Sequence, residues 1–358
     1  MKLYINGRFL TQKLTGVQRY AVEVVKAMDR LLEEETYSNL QCIIVTPKEP
    51  IYTVALKNIS CITVGCHQGY FWEQIELPFF VKKEWLIGLC NCAPLFKRNQ
   101  YVTIHDTAVY DVPRNYSWVF RIWYKFMYAA ISKSAKGVFT VSKFSKEQII
   151  RHLNIDQSKI YVGYNSAEHL LKNTRKNNDT NMIGNTEKYV LAVGSISPSK
   201  NFSLVLKTAA LMPDVSFIIV GGKNNKVLSE CNMDTIPKNV NFIGYVSDED
   251  LIRLYQNAQC FVFPSLYEGF GIPPLEAMAC GCPVVVSDIK VLREVCGAAA
   301  LYCDIYDPNS MCSEIKKLFN DSDFRKQQIQ NGFKQVKRYK WENTARMIFD
   351  IAITNDRK

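Results

Sequence analysis

Glu268 and Glu276 stand with seven residues between them across a glycine-containing turn, Glu268-Gly269-Phe270-Gly271-Ile272-Pro273-Pro274-Leu275-Glu276. An ionised carboxylate only accepts hydrogen bonds, so two of them beside one turn suit hydroxyl-rich groups on either side of a phosphate. The two glycines let the backbone turn sharply and approach a ligand without side-chain interference. Pro273 and Pro274 fit the first turn of a helix, where a missing N–H costs nothing. Glu276 is expected near that helix's start and Gly281 just past its end. The positive end of such a helix dipole faces whatever sits over the turn, which makes it an anion site.

Four other stretches have residue types that do chemistry. Gly194-Ser195-Ile196-Ser197-Pro198-Ser199-Lys200-Asn201 follows a strand-like run and opens a helix. A lysine there opposes the helix dipole unless it meets an anion. Thr15-Gly16-Val17-Gln18-Arg19 links the first strand to the first helix. Arg19 is open to a phosphate, to an acceptor or to a surface ion pair. Thr103-Ile104-His105-Asp106 ends a buried strand, where ligands of open α/β sheets sit, and Asp106 is positioned to orient the His105 ring. Asp248-Glu249-Asp250 has the look of a metal-binding acidic triplet. Ser247 before it and Leu251-Ile252 after it make it a helix N-cap instead.

Positioning these groups requires strands that alternate with helices. Strand patterns fall at Leu3–Asn6, Cys42–Thr46, Cys61–Val64, Trp85–Leu89, Tyr101–Ile104 and Gly137–Val141. A second series covers Tyr189–Val193, Ser216–Val220, Asn241–Gly244, Cys260–Phe263 and Val284–Ser287. Helical patterns run from about Arg19 to Leu32, Tyr116–Ser134, Lys143–Leu153, 202–211, 249–257, 273–280 and 309–319, with a helical tail from Asp321 to about Thr354. Such alternation implies two mostly parallel sheets with helices on both faces. The domains read as 1–170 and 189–340, joined by a polar linker at 171–188, with a terminal helix at 341–358.

Pro264-Ser265, Glu268-Gly269-Phe270-Gly271, Pro274-Leu275-Glu276-Ala277, Cys280-Gly281 and Pro283-Val284-Val285 together resemble the signature of retaining glycosyltransferases of family four. Asn6-Gly7-Arg8, Ile104-His105-Asp106, Thr140–Ser145 and Tyr164–His169 resemble bacterial surface-polysaccharide transferases of that family, many of which use mannose or rhamnose donors. The resemblance implies the α/β GT-B fold, two doubly wound Rossmann-like domains facing across a cleft, with the last helix crossing back to the first domain. It implies transfer of a hexose from a nucleotide-diphosphate sugar to a saccharide hydroxyl, without metal or cofactor. On that pattern Glu276 binds ribose hydroxyls, and Glu268 holds the donor sugar and supports charge at its anomeric centre. Gly269, Phe270 and Gly271 meet sugar and phosphate through their amides. Gly16, Gly194 and Lys200 face the diphosphate, Tyr245 and Val246 frame the base, and His105 touches the sugar. Arg19 and Asp106 fall on the acceptor side. The family's phosphate-binding arginines are replaced by Ser195 and Ser199, which places more of the load on Lys200 and backbone amides.

The chain has 358 residues and a net charge of +10, of which +7 lies in residues 1–170. That bias suits nucleic acid, an anionic membrane or anionic substrates, but no basic cluster or recognition motif supports nucleic acid. The aromatic, basic stretch Tyr116–Tyr128 places Val119, Ile122, Trp123 and Phe126 on one stripe. It reads as a core helix or as a helix at the headgroup level of a membrane. The resemblance favours an undecaprenyl-diphosphate-linked acceptor and a cytoplasmic enzyme at the inner-membrane surface. Twelve scattered cysteines, such as Cys42, Cys61 and Cys260, read as buried reduced thiols. No apolar run reaches the roughly 18 residues that span a bilayer, and the N-terminus shows no signal peptide. A nucleotide-sugar epimerase of the same fold, or a scaffold with a weakened site, are the alternatives.

Overall fold

The computed structural model describes residues 1–171, 188–195, 197–222 and 236–356. The expected linker at 171–188 lies outside the described residues apart from its two ends. The chain divides into two compact units, residues 1–165 with 340–358, and residues 166–339. The division falls at Asn165/Ser166, ahead of the boundary read at residue 170, so His169 belongs to the second unit.

Unit 1 is built on seven parallel strands: β1 (Lys2–Asn6), β2 (Gln41–Thr46), β3 (Ser60–Thr63), β4 (Trp85–Gly88), β5 (Gln100–Thr103), β6 (Gly137–Thr140) and β7 (Ile160–Val162). Their order is β3-β2-β1-β4-β5-β6-β7. Central strands such as β4, β5 and β6 are buried at every residue, as expected of a parallel sheet covered on both faces. The edge strand β3 is mostly exposed, and Cys61 is exposed with it, unlike the buried thiol read from its apolar neighbours. β7 escaped the sequence pattern because it is only three residues long.

The first helix spans Gly16–Leu31 rather than starting at Arg19. Thr15 and Gln18 form a capping box, which satisfies amides that would otherwise be orphaned at the helix start. The C-terminal residues complete this unit's core. The tail is two helices, Ser322–Val336 and Trp341–Asp356, rather than one, with the break at residues 337–340. The second of them buries Trp341, Ile348 and Phe349. Within unit 1 it is held by Trp341 against Tyr20, by Tyr37 donating to Asp350 at 2.7 Å and by Trp85 Nε1 donating to Asp356 at 2.7 Å.

Unit 2 has six parallel strands: β8 (Tyr189–Val193), β9 (Ser216–Val220), β10 (Val240–Gly244), β11 (Cys260–Phe263), β12 (Val284–Ser287) and β13 (Ala300–Cys303), in the order β10-β9-β8-β11-β12-β13. The chain runs outward from β8 through β9 to β10, then returns to place β11 on the other side of β8. That reversal opens a crevice beyond the C-terminal ends of β8 and β11, the place where doubly wound sheets bind ligands. The loops that follow these two strands are Gly194–Asn201 and Pro264–Gly271.

Candidate functional site

The two crevice loops of unit 2 are joined to each other. Leu266 N–H donates to the Ser199 carbonyl at 2.8 Å. Lys200 ends a short turn, Pro198–Lys200, and its Nζ lies 2.5 Å from Glu268 Oε1 and 5.2 Å from the centre of the Phe263 ring. Both side chains are partly covered but still reach solvent. One cation and one anion thus converge at the crevice, and the charge of Lys200 is balanced there by Glu268.

The helix after the turn spans Ile272–Ala279. Glu276 is its fifth residue and falls in the second turn, not the first as expected, because the helix starts at Ile272. Pro273 and Pro274 remove two of the four amides that a helix start presents. The dipole remains, but the helix's own donors are reduced to Ile272 and Leu275. Gly271, the N-cap, has a φ of +94°, and a Cβ there would lie 2.7 Å from Leu292 Cδ2. Only glycine makes this turn without strain. Phe270 is buried and packs edge-on against Tyr339. Its ring therefore anchors the loop, and only its backbone is positioned for a ligand.

Two residues that the sequence reading gave no role complete the Glu276 environment. His169 Nε2 lies 2.9 Å from Glu276 Oε1, and the Tyr255 hydroxyl donates to Oε2 at 3.3 Å. Burial, then the nearby Glu276 charge, pushes the Tyr255 hydroxyl well above its ordinary pKa, so it stays a donor. Each carboxylate oxygen has a second lone pair, which leaves Glu276 able to accept from ligand hydroxyls. His169 Nδ1 is buried with no partner among the described residues. The segment Tyr164–His169 was conspicuous in the sequence, yet nothing in it indicated a carboxylate from the other half of the unit.

Gly194 lies at the end of β8. Tyr245, exposed after β10, lays its ring on the backbone of Gly222, where any Cβ would fall 2.7 Å from the ring. Val246 follows it, half-buried. Ser247 Oγ accepts from the Asp250 amide at 3.1 Å, so the acidic triplet is a helix cap. Among the described residues one group has the proximity to hold a metal ion, Cys66, His67 and Glu76 in unit 1. Glu76 there also accepts from the Cys66 and His67 amides.

In unit 1, His105 is buried just beyond β5. Its ring is not oriented by Asp106 as expected. Nε2–H donates to the Leu89 carbonyl at 2.9 Å, and the ring meets Tyr20 edge-on. Its amide donates to Asn91 Oδ1 at 2.8 Å. Asp106 instead accepts from the Ala108 amide at 2.9 Å, a turn that its short side chain closes locally. With Nε2 as donor, Nδ1 is the acceptor. Burial, against the pull of the Leu89 carbonyl, lowers the His105 pKa from 6.5 to about 4.

The unfolded chain therefore binds a proton at His105 that the folded chain rejects, across roughly pH 6.5 down to 4. Stability is expected to fall on acidification through that window by roughly 3 kcal/mol from this residue. Chemical denaturation at several pH values, repeated on His105→Asn, is the measurement. The variant should show a shallower slope.

Gly16 is the first residue of its helix, with open space where a side chain would go. Nothing within unit 1 demands a glycine there. Arg19 sits in the first turn, its amide donating to Thr15 O at 2.8 Å.

The helix Trp118–Ser134 divides the stripe that read as core or as headgroup-level, because Trp123 packs against the core cluster while the rest of the stripe does not. Val119, Ile122 and Phe126 are exposed, as is Trp118 at 71%. The packed side holds Met127, Tyr128 and Ile131, with Phe120 and Tyr124 against the same cluster. This helix is apolar on both sides.

Two parallel-sheet units in one chain, each with a reversal of strand order, fit the GT-B architecture, and solved structures agree. The chain matches sucrose-phosphate synthase from Thermosynechococcus elongatus over 99% of its length and 98% of that protein's, with a TM-score of 0.73 and 17% identity. It matches WaaG, a glycosyltransferase involved in lipopolysaccharide biosynthesis, over 98% and 99%, with a TM-score of 0.69 and 13% identity. Residues 173–335 match the family description "Glycosyl transferases group 1" and residues 83–168 match "Glycosyltransferase Family 4". The O-antigen chain mannosyltransferase RfbU of Salmonella typhimurium is 35% identical over 97% of this chain and 98% of its own. The O-antigen chain mannosyltransferase B of Escherichia coli is 33% identical over 96% and 97%. The chain belongs to glycosyltransferase family four and is a glycosyltransferase.

Proposed function

We propose that this enzyme moves a mannosyl group from a nucleotide-diphosphate donor to a saccharide hydroxyl during surface-polysaccharide assembly, with retention at the anomeric carbon. The observation that carries the donor site is the Lys200–Glu268 pair on the two crevice loops at the strand reversal of unit 2, with Glu276 on the helix that follows the second loop. Mannose is preferred over rhamnose because both full-length relatives above are named mannosyltransferases.

In this reading Glu276 accepts from the ribose hydroxyls, held in place by His169 and Tyr255. Tyr245 and Val246 lie against the base. Gly194 brings backbone near the phosphates, and Gly269, Phe270 and Gly271 present amides to the sugar and β-phosphate. Lys200 exchanges its contact with Glu268 for a phosphate oxygen, which frees Glu268 for donor hydroxyls and for the positive charge that develops at the anomeric carbon. The anomeric C–O bond to phosphate breaks while the acceptor oxygen bonds to the same face. The acceptor's proton passes to the leaving phosphate oxygen, so no enzymic nucleophile is needed. Catalysis is then positioning plus stabilisation of charge. The family pattern gives neutral His105 a role with the sugar, and Arg19 and Asp106 a role with the acceptor.

The deciding experiment is a donor panel of GDP-mannose, UDP-hexoses, UDP-N-acetylhexosamines and dTDP-rhamnose, followed by thermal shift and slow hydrolysis. GDP-mannose is expected to stabilise the protein and to turn over. Response to another sugar alone would reject the mannosyl assignment.

The acceptor we infer is an undecaprenyl-diphosphate-linked saccharide reached at a membrane surface. No helix among the described residues is long and apolar enough to cross a membrane. The exposed Trp118, Val119, Ile122 and Phe126 instead suit a helix lying in the interface, aided by the +7 charge of residues 1–170. Flotation with phosphatidylglycerol vesicles should recover the protein, and Ile122→Glu with Phe126→Glu should leave it at the bottom of the gradient. Equal flotation of both would reject this face.

A further inference from the structure

Unit 1 has its own reversal of strand order, between β1 and β4, and a cavity of about 210 Å³ opens there. Its walls come from the end of β1, the residues that follow β1 and β4, the helical segment 69–76 and Tyr124 of the helix Trp118–Ser134. Arg8 and Glu73 form the centre. Arg8 Nη1 donates to Glu73 Oε2 at 2.8 Å, Asn6 Nδ2 donates to Oε1 at 2.7 Å, and the guanidinium lies 4.3 Å from the Tyr70 ring centre. Glu73 is buried, and a buried ion pair repays its desolvation only with close geometry and further hydrogen bonds, which Asn6 supplies here.

The chemistry of the walls selects the ligand. Burial pushes the Glu73 carboxyl up, against the pull of Arg8 and Asn6, but both its oxygens accept from close donors, which is the bonding pattern of the carboxylate. Its charge therefore cancels that of Arg8. Burial holds the Cys92 thiol up at about 12, and Cys90 well above its usual range, so neither adds charge. The cavity is polar, neutral and lined by the two tyrosines Tyr70 and Tyr124, with Gln12 and Asn91 as further amides. A phosphate would find no surplus positive charge. An uncharged polyol of about one ring finds donors, acceptors and aromatic walls.

The location adds a second argument. The wall residues Leu89 and Asn91 are the same two that hold the His105 ring and amide, and Thr15 and Val17 of the wall flank Gly16. We propose that this cavity is the subsite for the terminal, uncharged pyranose of the acceptor, with Arg8 donating to and Glu73 accepting from its hydroxyls. The assignment rests on the glycosyl-transfer reading above and gives Asn6-Gly7-Arg8, which that reading leaves unused, a role.

The test is saturation-transfer NMR on the full chain with methyl α-pyranosides of mannose, glucose, galactose and rhamnose, with inorganic phosphate as competitor. At least one glycoside is expected to bind, about tenfold or more weakly in Arg8→Gln and severalfold more weakly in Gln12→Ala, with no displacement by phosphate. Gln12→Ala keeps the test valid if Arg8→Gln does not fold. The proposal is overturned if no glycoside binds, if binding is unchanged in the folded variants, or if phosphate displaces the sugar. Titration of the same samples with GDP and UDP separates the two readings. Nucleotide binding without glycoside binding rejects the cavity alone, whereas failure of both rejects the donor site as well.

Discussion

Glu268→Gln is expected to lower turnover by about a hundred- to a thousandfold while leaving the fold in place. The substitution keeps the shape and removes the charge that faces Lys200 at 2.5 Å. If Glu268 supports positive charge at the anomeric centre, the loss appears in kcat, because the interaction strengthens only as the sugar–phosphate bond breaks. Lys200→Met should also be strongly impaired, since the leaving diphosphate then has no side-chain cation from unit 2's crevice loops. The two substitutions should not add. The pair exists in the free enzyme and is given up when the donor binds, so each single substitution also removes a contact the wild type must break, and the double variant is expected to lose more than the two single effects combined. Steady-state kinetics on the four proteins of this cycle decides the matter. A double variant no worse than the more damaging single one would mean that the two residues act only through each other, and an unimpaired Glu268→Gln would remove the residue from the chemistry.

Glu276→Ala is expected to weaken nucleotide binding by about ten- to a hundredfold, the loss of a hydrogen bond to a charged group. It should also lower stability, unlike the Glu268 substitution. Truncation leaves His169 and Tyr255 without their partner, and an unsatisfied buried polar group costs about 1–3 kcal/mol. His169 Nδ1 already has no partner among the described residues, so the imidazole would then lack one at either nitrogen. Glu276→Gln should recover part of the stability, because an amide still accepts through its oxygen, and less of the affinity. Calorimetric titration with the nucleotide diphosphate, alongside thermal melts, reads both effects. An unchanged Kd in Glu276→Ala would exclude the ribose role. An unchanged melting temperature would show that the His169 and Tyr255 contacts are incidental.

The Glu268–Glu276 stretch was legible in the sequence because its geometry is local. A strand, two glycines, two prolines and a helix end by Cys280-Gly281 are set by backbone preferences over fewer than two turns of chain, and β11, the turn and the helix Ile272–Ala279 followed from them. The alternation of apolar runs likewise determined two parallel sheets, since strands buried on both faces leave a pattern that needs no distant partner. The same locality explains the misses. A three-residue strand such as β7 has too little pattern to detect, and the stripe on Trp118–Ser134 is apolar whether it faces a core or solvent.

Sequence position could not pair side chains, because pairing depends on the order in which strands join the sheet. Glu276 meets His169 across 107 residues, Lys200 meets Glu268 across 68, and Arg8 meets Glu73 across 65. His105 illustrates the point. Its neighbour in the chain, Asp106, is turned to its own loop, while the ring is held by Leu89 from the adjacent strand's end. The amino-acid sequence by itself determined the elements, the family and the carboxylates beside the turn. Only the tertiary structure decided which groups neutralise, orient or bury one another, because those contacts are made by the strand order and not by the chain.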